Sequence, residues 1–91
     1  MFEWDEEKNR ANVAKHGVDF HDVRAAFSDS SALVLKDDRR DYGEDRFIVL
    51  CPVQGRLMYV AYTERGDAIR IISARRANDR ERRLYEQRKH N

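Results

Sequence analysis

Arg75 and Arg76 stand where an apolar stretch, Ile69-Arg70-Ile71-Ile72, gives way to Asn78-Asp79-Arg80-Glu81. The isoleucines carry the β-branched signature of a strand, and an Asn followed three residues later by Glu is a helix-start signature. Two guanidiniums at such a junction, beside the free N–H groups of a helix start, suit a phosphate. The competing reading is a solvated charged face on which Asp79 and Glu81 partner the arginines. If the phosphate belongs to RNA, cleavage needs neither a metal nor a protein nucleophile, because the 2′-hydroxyl attacks the adjacent phosphorus. The protein then supplies charge stabilisation, a base and an acid. Arg75 and Arg76 fit the first role. Glu44 or His16 would take the 2′ proton, and His16 or Tyr85 would give one to the leaving oxygen, provided the fold gathers them. Each has a plainer reading: a helix-terminal hydrogen bond for His16, pairing with Arg46 for Glu44, packing with a polar tip for Tyr85. Lys15 either positions a phosphate or is a solvated helix-terminal lysine.

The charge distribution points toward an anionic partner. The formal charge is only +1, but residues 70–91 hold eight Arg or Lys against three acids, a net +5, whereas residues 1–69 are net −4. A basic end on an acidic body steers phosphates or carboxylates. Arg70, Arg80 and Arg83 lie in this segment and are the expected RNA contacts beside Lys15 and Arg46. Other functions are harder to build from this chain. His16, His21 and His90 show no zinc-like spacing with one another or with Cys51, so neither a metal nor another cofactor is expected. Cys51 is alone inside an apolar run, which rules out an internal disulfide and suggests a buried small hydrophobe. The Met-Phe-Glu-Trp-Asp start lacks the basic and apolar regions of a signal peptide, and no stretch approaches a membrane span, so a cytoplasmic location is expected.

Ninety-one residues, 41% of them hydrophobic, suffice for one small domain with a modest core, here residues 1–91. Phe2 and Trp4 form an apolar lead. Asp5 caps a helix over about residues 6–16, with Glu6 and Glu7 in its first turn, Lys15 and His16 in its last, and Gly17 as a left-handed terminator. Its apolar face is thin, Ala11, Val13 and Ala14, leaving Asn12 and His16 to point inward or into a cleft. A second short amphipathic helix starts at Asp19 and carries Phe20, Val23, Ala26 and Phe27. The period then becomes strand-like: Ala32–Lys36, Arg46–Val53, Leu57–Thr63 and Ile69–Ser73, with a polar loop over 37–45 and short Gly-containing connections that favour hairpins. Pro52 belongs near a strand end or at a bulge. A basic helix over about 78–89 closes the chain, anchored only by Leu84 and Tyr85. This order predicts an α+β domain: two N-terminal helices, a four-stranded, mainly antiparallel sheet and a C-terminal basic helix, with the helices on one sheet face and a concave surface suited to single-stranded nucleic acid.

Phe2-Glu3-Trp4-Asp5-Glu6-Glu7-Lys8, Asn12 with Lys15-His16-Gly17, Phe20, Phe27-Ser28-Asp29, Gly43-Glu44-Asp45-Arg46 and Ile69 through Ala77 together resemble the BrnT toxins of type II toxin–antitoxin systems. The resemblance covers nearly the whole chain and rests on the order and spacing of these motifs. It implies a RelE-like ribonuclease that cleaves RNA and arrests translation, held inactive by a BrnA-like antitoxin carrying a DNA-binding domain. It also implies repression of the operon by the complex through operator DNA, and a toxin homodimer within a heterotetramer. The family's recurrent polar positions fall on Lys15, His16, Glu44, Arg46, Arg70, Arg75, Arg76 and Tyr85. The alternative is a non-catalytic module whose basic helix docks an acidic antitoxin segment and assists repression.

Overall fold

The computed structural model describes residues 1–90, with side chains through Arg88. Lys89, part of the basic segment, and His90 lie outside the described side chains. A mixed five-stranded sheet runs in the order β1 (Phe2–Glu3), β5 (Ala68–Arg76), β4 (Arg56–Arg65), β3 (Arg46–Val53), β2 (Leu33–Asp37). The strands from β2 to β5 form the expected antiparallel meander, and β1 joins β5 in parallel, Phe2 opposite Ile69. This fifth strand corrects the four-stranded expectation. Two residues are too few to show alternation, and β1 is fixed instead by the Ile69 N–H donating to the Met1 carbonyl at 2.8 Å and by Arg70 bridging to Glu3 at 2.8 Å. The β3–β4 hairpin turns on Gln54 and Gly55, both at positive φ, 53° and 78°, as the tight two-residue turn requires. Pro52 is the penultimate residue of β3, beyond the last β2 partner at Leu50.

The helix α1 (Glu6–His16) starts on Asp5, whose carboxylate accepts from the Glu7 and Lys8 N–H groups, and ends on Gly17 at φ 69°. Its buried face is not the thin apolar one expected from Ala11, Val13 and Ala14, all of them exposed, but a pair of asparagines. Asn12 donates to the Val18 and Ala74 carbonyls, both at 2.8 Å, and accepts from the Ala74 N–H at 3.2 Å. A side-chain amide thus completes the edge of β5 beyond the end of β1. Asn9 accepts from the Phe20 N–H and donates to Asp19. The second helix is a 3₁₀ helix, Asp22–Ser28. Val23 and Ala26, the residues it buries, lie three apart, the repeat of that tighter helix, and Phe20 just ahead of it keeps the same spacing.

The sheet is covered on both faces, which corrects the expectation that all helices pack on one. Val49, Cys51, Met58, Val60, Ile71 and Ala74 meet Val18, Phe20 and Val23 on the α1 side. Leu50, Leu57, Tyr59 and Ala61 meet Tyr85 of the last helix, α2 (Asp79–His90), on the other. Among the described residues, no helix is long and apolar enough to cross a membrane.

Candidate functional site

On the α2 side a cleft of about 630 Å³ opens between α2 and the chain following β2. Leu35, Ile48 and Leu50 give it an apolar floor; Lys36, Arg39, Arg75, Arg80 and Arg83 line it with cations, against Asp37, Asp38 and Glu81. Strand alternation decides which arginine of the junction reaches it. Arg75 lies opposite Tyr59 and Arg76 opposite Met58. Tyr59 belongs to the α2-side core and Met58 to the α1-side core, so the two guanidiniums leave β5 on opposite faces. The expected Arg75–Arg76 pair is therefore split.

Arg75 is fixed from three directions. Its Nη1 and Nη2 each donate to Glu81 at 2.8 Å, Nη1 also reaches the Arg76 carbonyl, and its Cζ sits 3.9 Å above the Tyr59 ring. Glu81 is shared: the Asn78 N–H donates to its Oε1 at 2.9 Å while its own N–H donates to Asn78 Oδ1 at 2.8 Å, the reciprocal box that starts α2. Burial works to raise the Glu81 carboxyl, but the bonds from Arg75 and Asn78 outweigh it and hold the group below its ordinary range. The same contacts with Glu81 hold Arg75 charged, against a smaller opposing effect of burial.

A second guanidinium approaches the same tyrosine. Arg39 donates from Nε and Nη2 to the two oxygens of Asp37, at 2.8 and 3.0 Å, and from Nη2 to the Tyr59 hydroxyl at 3.3 Å. Tyr42 donates to Asp37 at 3.1 Å, and Arg46 stacks on the Tyr42 ring at 4.0 Å. The bidentate bond from Arg39 is the main reason that the Asp37 carboxyl is held at about 2, despite burial. Burial pushes the Tyr59 phenol up, although both arginines pull the other way, so it is neutral at pH 7.

The remaining expected residues divide. Arg80 and Arg83 line the cleft with Arg75. His16 and Lys15 are exposed at the end of α1, and among the described residues neither side chain has a hydrogen-bond partner. Glu44 pairs with Arg65 at 3.4 Å, not with Arg46. Arg70 is the bridge to β1, and the half-buried Tyr85 commits its hydroxyl to the Ser31 carbonyl at 2.7 Å. None of these lines the cleft. Asp37, Arg39 and Tyr59 were missed. The available signal was that Asp37 follows Leu33 and Leu35 at two-residue spacing, an acid at an inward-facing strand position. Among the described residues, no group of three or more His, Cys, Asp or Glu is placed to hold a metal.

The chemistry such a cleft supports is recognition of an anion, with fixed donors and little proton-transfer capacity of its own, because both buried carboxylates are committed to arginines. Comparison with known proteins is consistent with an anionic substrate. The family model described as ribonuclease toxin, BrnT, of type II toxin–antitoxin system matches residues 4–81. No curated protein gives a match.

Proposed function

Since the chain belongs to the BrnT family of ribonuclease toxins of type II toxin–antitoxin systems, we propose that it is a metal-independent endoribonuclease whose substrate-binding site is the α2-side cleft. The observation that carries this reading is Arg75, a guanidinium held by Glu81 and Tyr59 and presented to a cleft with further cations at Arg80 and Arg83. Fixed cationic donors stabilise charge that develops on a phosphate without reorganising at the moment of reaction. The bond formed joins the 2′-oxygen to phosphorus and the bond broken releases the 5′-oxygen, leaving a 2′,3′-cyclic phosphate and a 5′-hydroxyl. In the cell, cutting translated RNA would arrest protein synthesis in the cytoplasm. Family membership implies an antitoxin. We take that antitoxin to be BrnA-like, the complex to contain a toxin homodimer, and operator DNA to be bound through the antitoxin.

The test is cleavage of a long single-stranded RNA in EDTA by the antitoxin-free protein and its R75A variant. Chelator-resistant cutting that is lost in a folded R75A supports the reading, and cutting abolished by EDTA sinks it. H16A and E44A probe the side chains that lie outside the cleft: if the cleft suffices, both retain wild-type cutting. A second reading is favoured by the committed state of Asp37 and Glu81, which leaves the exposed Asp38 as the one uncommitted carboxylate of the cleft among the described residues: the cleft binds without cutting and serves the antitoxin complex. It predicts RNA or antitoxin binding by a wild type that never cleaves, with or without translating ribosomes.

A further inference from the structure

On the reading that the cleft binds RNA, we propose that Arg39 and Arg75 form a two-armed clamp for one phosphodiester of a single-stranded RNA, with Tyr59 fixing the gap between the arms. Both arms are fastened at the rear by a carboxylate, Arg39 by Asp37 and Arg75 by Glu81, each through two hydrogen bonds of 2.8–3.0 Å. Both also converge on one phenol, Arg39 at its hydroxyl and Arg75 over its ring. That geometry leaves donors to spare. Among the described residues, Nη1 of Arg39 and Nε of Arg75 have no hydrogen-bond partner. The two cations also feel each other, since Arg39 disfavours the charge on Arg75. Like charges fixed on one cleft are a cost that an anion between them removes.

A phosphodiester fits this arrangement better than a row of carboxylates. Flat guanidinium forks match two non-bridging oxygens on one atom. The floor of Leu35, Ile48 and Leu50 offers the adjoining base an apolar seat, which an acidic side chain does not use. Arg80 and Arg83 lie along α2 where the chain would continue past the clamp. Arg39 had no place in the sequence reading, because its approach to Tyr59 depends on the register of three strands.

The experiment is anisotropy of a labelled 2′-O-methyl RNA 12-mer, which lacks the attacking hydroxyl and stays intact, titrated at several salt concentrations. Proteins are the wild type, R39A, R75A, R39A/R75A and, as a charge control on the opposite face, R24A. Each single variant should weaken binding about tenfold, the value of one charge-assisted contact. One phosphate held by two arms predicts that the double variant is weaker by far less than the product of the singles, and that its slope of log K against log salt falls by about 0.7 in total. A fall of about 1.4, with multiplicative losses, means two separate phosphates and overturns the clamp. So does wild-type affinity in R39A, or no binding by the wild type. Because R39A strands a buried carboxylate, D37N/R39A is run beside it; wild-type binding by this folded pair also overturns the proposal. Displacement of the RNA by a polyglutamate peptide more readily than by unlabelled 12-mer assigns the cleft to an acidic protein segment instead. Parallel cleavage of long RNA separates the two ideas: an indifferent R39A beside an active wild type removes the clamp and keeps the ribonuclease. Clamp behaviour in a protein that never cuts does the reverse.

Discussion

Asp37 is a carboxylate whose side chain is 2% exposed, whereas that of its partner Arg39 is 69% exposed. Its carboxyl is held at about 2 in the folded protein, below the usual 3.8, so the unfolded chain binds the proton more tightly. The stabilisation it gives is therefore complete above the unfolded value and is lost as the pH falls from there through 2. D37N should be less stable than wild type by about 2 kcal/mol at pH 7, with the gap closing in strong acid; urea denaturation across that range checks it. The arginines differ in the same local way. R75A should lose at least about 100-fold in RNA cleavage, as removal of one fixed oxyanion donor does elsewhere. R76A, on the other face of β5, should cut near the wild-type rate, and equal losses in both would contradict the split. Arg75 and its Glu81 partner were legible in the sequence because strand end and capping box lie within seven residues. Arg39 and Tyr59 are twenty residues apart, and nothing local joins them.

At the scale of the element, Asn78 and Glu81 start α2 with two reciprocal hydrogen bonds. N78A should cost about 1 kcal/mol, read from thermal unfolding. Gln54 occupies a left-handed conformation, φ 53°, in a turn where a side chain is strained. Q54G should raise stability by roughly 0.5–1 kcal/mol, and a neutral or lower melting temperature would show that this strain is already relieved. Helix limits, hairpins and all four expected strands could be read to within a few residues, since caps, Gly turns and alternation are local signals. What escaped was conditional on tertiary pairing. β1 exists only because β5 offers an edge, and the buried face of α1 is made by asparagines whose amides bond backbone that lies up to 62 residues away.

For the molecule as a whole, charge and architecture meet at the cleft: of the basic residues in 70–91, β5 and α2 bring Arg75, Arg80 and Arg83 to it, while Arg76 leaves β5 on the other face. RNA binding through three or four phosphates should weaken about 30-fold between 50 and 200 mM salt, and a flat response would separate binding from this charge. The sequence showed the asymmetry but assigned all helices to one side, because composition does not reveal which face a helix covers. One irregularity interrupts β5. Between Tyr62↔Ile71 and Ala61↔Ser73 the ladder skips Ile72. This spare residue is taken up as a bulge, so Ile71 faces α1 while Arg75, four positions on, faces α2. Deleting Ile72 would join Ile71 to Ser73 in unbroken alternation and leave Arg75 opposite Tyr59 and Arg76 opposite Met58. The bulge is thus a slack point that absorbs a one-residue deletion, and R75A, not R76A, should remain the damaging variant in the shortened chain.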